Sequence, residues 1–327
     1  DGESVYLFDP ARRLADSIAV GFQISNRSIG RSGGSWALLA SPTPRGPNAA
    51  PAALGPASSL RINEWMAFPD AGDDWLELFN SASLPVSLTG LCLTDDPSIN
   101  GVSNSQTGPL SFVAPKGWVK WTADRNPRKG PSHLKFALDG DGDSILLYDD
   151  LGALLDAVDF GLQAPGVSQG RLPDGASSIT SFSATPTPAE SNYLPLPALF
   201  VNEVLAHTDP PLEDAIELYN AGATGLSIGG WFISNSQDDF KKYRIPPGTV
   251  VPAGGYRVFY EYQFNSTNAS PFSLNSAHGD SVFISEADAV GNLTGYRAQV
   301  SFGATPNGVS LGRVPTSMGV DFVPLAS

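Results

Sequence analysis

The chain has 327 residues, a formal net charge of −14 and 16% charged residues, with 34 glycines, 28 prolines and one cysteine. So acidic a composition lacks the clustered Lys and Arg that a phosphate backbone or an anionic membrane surface requires, and no apolar run approaches the roughly 18 residues of a membrane span. The single cysteine, Cys92, excludes an intrachain disulfide and leaves the redox compartment open.

Residues 1–48 read as the C-terminal half of a repeated unit. Asp1-Gly2-Glu3-Ser4-Val5 aligns with Asp141-Gly142-Asp143-Ser144-Ile145, and Ser28-Ile29-Gly30-Arg31 returns as Ser168-Gln169-Gly170-Arg171 and Ser310-Leu311-Gly312-Arg313. The spacing, about 140 residues, is that of a whole domain, because solenoid repeats run roughly 20–50 residues. Residues 49–60, with Pro51 and Pro56, read as an extended Pro/Ala-rich linker.

A complete repeat is expected over 61–193, where strand signals run through Arg61 to Phe68, Trp75 to Phe79, Val119 to Trp121, Ser144 to Tyr148 and Leu154 to Phe160. A short linker at 194–199 precedes a second, nearly complete repeat at 200–327. Its strand signals are Phe200 to Ala206, Ala215 to Tyr219, Tyr256 to Tyr260, Ser281 to Ser285 and Tyr296 to Phe302. Apolar residues nowhere keep a helical period for three turns. The pattern therefore predicts an all-β chain of tandem two-sheet sandwiches with about seven short strands each.

The ordered segments Ile62-Asn63-Glu64-Trp65-Met66-Ala67, Asp74-Trp75-Leu76-Glu77-Leu78-Phe79-Asn80, Leu88 to Asp96, His133 to Leu138, Gly170-Arg171-Leu172-Pro173-Asp174-Gly175 and Pro186 to Asn192 resemble a bacterial lamin-tail domain. The resemblance runs over nearly the whole chain. The last copy departs from the pattern at Ala215, at Ser234-Asn235 and at Val314-Pro315-Thr316. The resemblance implies an immunoglobulin-like β-sandwich and, in bacteria, secreted or surface proteins in which such domains stand beside separate catalytic domains. It implies no chemistry of its own.

Glu64 lies in phase with Ile62 and Met66, and Glu203 with Val201 and Leu205, so each acid is expected on the side its strand otherwise makes apolar. A carboxylate there needs a partner. Glu77 and Glu217 recur in the next strand, and Arg31, Arg171 and Arg313 recur later. The expectation is a structural Arg–Glu ion pair in each sandwich, drawn from Glu64, Glu77 and Arg171 in one repeat and Glu203, Glu217 and Arg313 in the next. The alternative is a pair of carboxylates acting as general acid and base on a glycoside.

Asp139, Asp141 and Asp143 alternate with glycine, a pattern that caps a tight turn and also supplies oxygens of the kind Ca²⁺ takes. Asn26, Asn265, Asn268 and Asn292 head glycosylation sequons, which matter only in a host that glycosylates. His133, His207 and His278 do not recur at equivalent positions and have no cysteine partners. Trp118 and Trp121 flank Lys120, and Tyr256, Phe259, Tyr260, Tyr262 and Phe264 gather in the last repeat, where an exposed set would suit a glycan or a partner.

Two function classes follow. One is a non-catalytic structural protein at the cell surface or outside the cell, a tandem array forming a stalk or an assembled filament. The other is an accessory binding or adhesion module, for a glycan or a cell surface, attached to an enzyme domain elsewhere in the protein. No cofactor is expected beyond the calcium alternative. Self-association or neighbouring domains of the same chain are the expected partners, because residues 1–48 cannot bury a sheet alone. Their complement would come from upstream residues or from a subunit that adds strands.

Overall fold

The computed structural model describes residues 2–98, 101, 106–266, 270–317 and 319–325. It divides into two compact units, one spanning 1–192 and the other 193–327. Both are built almost wholly from antiparallel strands, as the short apolar runs between Gly and Pro require.

In the first unit a five-stranded sheet runs in the order Trp118–Ala123, Asp74–Asn80, Leu60–Met66, Ser168–Arg171, Ile179–Phe182. Facing it is a three-stranded sheet of Leu154–Gly161, Gly142–Tyr148 and Cys92–Thr94. Ile62, Trp65, Leu76, Leu78 and Trp121 from the first layer pack with Leu93, Ile145, Leu147 and Val158 from the second. Cys92 is buried as a small apolar side chain.

The second unit repeats the plan. One sheet orders Tyr256–Tyr260, Ala215–Asn220, Leu199–Leu205, Leu311–Thr316 and Gly319–Pro324; the other orders Leu194–Pro195, Leu293–Phe302, Asp280–Ala287, Phe232–Ser234 and Tyr243–Arg244. Val201, Val204, Ile216 and Leu218 meet Ile233, Val282 and Ile284 between the layers. The segment 194–199 is not a free linker. Leu194–Pro195 pairs in parallel with the strand Leu293–Phe302 and so closes one edge of this sheet.

The opening strand of each sandwich carries a bulge, and it changes the expected facing of the acids. Pairing slips between Ile62 and Glu64, and again between Val201 and Glu203. The extra residue, Asn63 or Asn202, resets the alternation, so that Ile62 with Trp65, and Val201 with Val204, point into the core. Glu64 and Glu203 therefore leave the apolar side on which strict alternation had placed them.

Residues 3–38 form two hairpins, Glu3–Phe8 with Leu14–Val20 and Ile29–Ser32 with Ser35–Leu38. They correspond in order to Gly142–Tyr148 with Leu154–Gly161 and Ser168–Arg171 with Ile179–Phe182. Even the irregularity near the end of the first hairpin recurs, at Leu7/Phe8 and at Leu147/Tyr148. The segment between the hairpins is fastened to the complete repeat of this unit: the Gly21 amide donates to the Pro109 carbonyl at 3.0 Å, the Phe112 amide donates to the Phe22 carbonyl at 2.9 Å, and the Phe22 ring meets Trp121 edge-on.

Candidate functional site

The recurring polar residues of the first unit converge where the loop 185–192 closes over the bulged strand. Glu64 is fully buried. Its carboxylate accepts from the Ser168 hydroxyl, from the Thr187 amide at 3.1 and 3.2 Å, and from the Thr187 hydroxyl at 2.9 Å. Burial raises its pKa to about 7 against the pull of these donors.

Glu77, opposite Glu64 on the neighbouring strand, is also fully buried. It accepts from the Asn63 side-chain amide at 2.8 Å and from the Ala189 backbone amide at 2.7 Å. Burial, and then the charge of Glu64, push its pKa well above the usual carboxylate range. Asp174 completes the group, raised by burial and held by Asn63, Ser191 and the Asn192 amide. Hydroxyls and amides thus solvate three carboxyl groups, and among the described residues no arginine donates to them.

The expected Glu–Arg pairs do not form. Arg171 instead gives both Asp156 oxygens a 3.0 Å contact from one terminal nitrogen, and its Nε donates to the Ile62 carbonyl at 2.7 Å. Asp156 in turn accepts the Ile62 amide at 2.8 Å. The bulge is the physical reason: it aims Glu64 at the loop 185–192 and leaves the guanidinium facing the strand Leu154–Gly161. The same pair occurs earlier, Arg31 with Asp16 at 3.0 Å. Asp16 pairs across its hairpin with Leu7, as Asp156 does with Leu147.

In the second unit the corresponding position, opposite Ile284, is Ala298. Among the described residues Arg313 accordingly has no carboxylate beside it, and it lies over the Phe200 ring, 4.3 Å from the centroid. Asn202 still donates to Glu217 at 2.8 Å, as Asn63 does to Glu77. Glu203 and Glu217 are only half-buried, since no loop equivalent to 185–192 lies on them among the described residues.

Asp139, Asp141 and Asp143 form the turn entering the strand Gly142–Tyr148, and their side chains serve the backbone. Asp139 accepts the Asp141 amide at 2.9 Å, while Asp143 accepts the Asp139 amide at 3.1 Å and the Ser144 amide at 2.8 Å. No group of three or more metal-binding side chains occurs among the described residues. Asn26, Asn265 and Asn292 are exposed; Asn268 lies outside the described residues.

The histidines are dispersed. His133 lies 3.0 Å from Asp124, His207 lies 2.9 Å from the Thr305 carbonyl, and His278 is exposed. Among the aromatics, Trp121, Phe259 and Phe264 belong to the cores. Trp118 stacks obliquely on Phe79, whereas Tyr256, Tyr260 and Tyr262 are exposed, with Tyr260 and Tyr262 stacked at 6.2 Å.

Sequence reasoning missed Asp16 and Asp156, although the signal was present: each precedes its Gly-Arg arginine by the same interval, at which Ala298 precedes Arg313. It also missed the clamp made by Asn80 and Asn220, whose side-chain amides donate to the carbonyls of Leu84 and Ala114, and of Thr224, Val251 and Pro252.

No curated protein and no solved structure matches the chain. The family model of the Lamin Tail Domain matches residues 195–301, inside the repeat that departs most from the expected pattern. With two facing sheets over that segment, residues 195–301 form a lamin tail domain of immunoglobulin-like fold.

Proposed function

We propose that this chain is a non-catalytic structural protein of the bacterial cell surface or exterior, a tandem array of sandwiches serving as a stalk or an assembled filament. The observation that carries the reading is the fate of the recurring acids. Glu64 and Glu77 are sealed from solvent and used up by internal amides and hydroxyls, so a glycoside cannot reach them. The other recurring polar residues, Asp156, Arg171, Asn80 and Asn220, hold backbone in place. Residues repeated for framework suit a protein whose job is extension or attachment, and a net charge of −14 favours solubility of such an array.

Immunogold electron microscopy of intact cells tests this reading. Label along surface appendages or the cell envelope supports it; label confined to the cytoplasm overturns it.

A second reading, an accessory module that places an enzyme on a glycan or a cell surface, draws support from the exposed tyrosines Tyr256, Tyr260 and Tyr262. Such rings offer stacking faces to sugars. Binding to polysaccharide that is lost in a Tyr260→Ala, Tyr262→Ala double variant would favour it over the structural reading.

A further inference from the structure

A cleft of about 330 Å³ opens between the layers of the second unit, lined from the strands Leu199–Leu205, Leu293–Phe302 and Leu311–Thr316. Arg313 lies on its wall, half-buried, with the guanidinium over the Phe200 ring. Arg297 lines it too, over the Tyr193 ring at 4.0 Å. In a chain of net charge −14, the described residues around this cleft include two arginines and no acid. Much of the remaining wall is apolar, with Leu199, Val201, Val300 and Phe322.

The two other copies of the Gly-Arg hairpin show what this position holds. Arg31 stands 3.0 Å from Asp16, and Arg171 stands 3.0 Å from Asp156. The Asp156 carboxylate lies between two donors, Nη2 of Arg171 and the Ile62 amide at 2.8 Å. Both donors have counterparts at the cleft. One is Arg313, and the other is the amide of Val201, which precedes the bulge of its strand as Ile62 does. The carboxylate alone has no counterpart, because Ala298 stands opposite Ile284 where Asp156 stands opposite Leu147.

The difference lies inside the sandwich. In the first unit the carboxylate beside the arginine comes from the strand Leu154–Gly161, whereas the loop 185–192 reaches Glu64, Glu77 and Asp174 instead. The open space beside Arg313 thus follows from the short side chain of Ala298. A guanidinium fixed against a ring and partly withdrawn from water gains from a planar anion, since its hydrogen bonds to a carboxylate are charge-assisted and its orientation is set beforehand. The apolar wall favours a ligand whose other end is hydrocarbon, and the volume suits a small molecule.

We infer that the cleft binds a small organic acid with one carboxylate and an apolar body. The carboxylate takes the place that Asp156 fills in the first unit, accepting from Arg313 and from the Val201 amide. The hydrocarbon lies along Leu199, Val300 and Phe322. Such binding is independent of where the array stands, so it goes beyond the structural reading, and its failure leaves that reading untouched.

The test titrates the full chain with hydrocinnamate and with its uncharged amide, followed by ligand-detected NMR. The expected result is saturable binding of the acid and at least about tenfold weaker binding of the amide, the loss of a charged hydrogen bond. Arg313→Met is expected to lose the preference for the acid. Ala298→Asp, which puts the carboxylate of the first unit back beside Arg313, is expected to weaken binding of the acid by a similar factor. Absence of saturable binding, or equal binding of acid and amide to the unaltered chain, overturns the proposal without any question of variant folding. Undiminished binding to a folded Ala298→Asp chain overturns the assignment to this cleft. Acetate bound as tightly as hydrocinnamate would leave a bare anion site and overturn the apolar body. Tighter binding of a glutamate-containing tripeptide amide would make a protein side chain the source of the carboxylate and overturn the choice of a small acid.

Discussion

Arg171 and Asp156 hold the backbone of Ile62 between them, the guanidinium on its carbonyl at 2.7 Å and the carboxylate on its amide at 2.8 Å. The ion pair therefore acts as a clasp joining the strand Leu154–Gly161 to the bulged strand of the opposite layer. Both side chains are largely buried, so deleting one leaves the other charge unpaired in the interior.

Arg171→Met is expected to destabilise the first unit by about 3–5 kcal/mol in chemical denaturation. Arg313→Met is expected to cost the second unit no more than about 1 kcal/mol, because Arg313 has the Phe200 ring beneath it and Ala298 where the carboxylate would be. Equal costs for the two substitutions would contradict the clasp.

Gly170→Ala is expected to destabilise the first unit by about 1–3 kcal/mol. A Cβ there would lie 2.5 Å from the Asn63 carbonyl oxygen and 3.0 Å from the Glu64 Cα, both backbone atoms that cannot swing aside. Thermal denaturation of the variant beside Gly161→Ala, where a Cβ meets open space, gives the comparison.

Calcium is expected to leave the melting temperature unchanged, and so is its removal by chelator. One oxygen of Asp139 and both of Asp143 are engaged by backbone amides of their own turn. A rise in melting temperature with calcium that vanishes in Asp141→Asn would show that the turn opens to take the ion.

The fold class was legible because short alternating runs between Gly and Pro admit little else, and the recurrence of Gly30-Arg31, Gly170-Arg171 and Gly312-Arg313 marked equivalent hairpins. The partners were less legible. Counting alternate residues from Ile62 puts Glu64 on the core face, and only the pairing register shows that Asn63 is the extra residue that turns it away. Asn63 itself gives little warning, since its side chain is recruited by Glu77 and Asp174, residues brought to it by tertiary packing. The arginine's partner was hidden for the opposite reason: Asp156 sits in a strand whose other polar side chain, Asp159, is exposed, and nothing local sets it apart.

Recurring acids that serve as internal framework must make stability depend on pH. Burial raises the pKa of Glu64 from 4.5 to about 7 and moves that of Glu77 upward as well. The folded chain then binds more protons than the unfolded one between these values, so stability is fully present below about 4.5 and declines as pH rises through about 7. The first unit is expected to melt higher at pH 5 than at pH 7.5, and a Glu64→Gln, Glu77→Gln variant to fold and lose most of that difference. A melting temperature that climbs steadily from pH 5 to 7.5, or a slope unchanged in the variant, would contradict it.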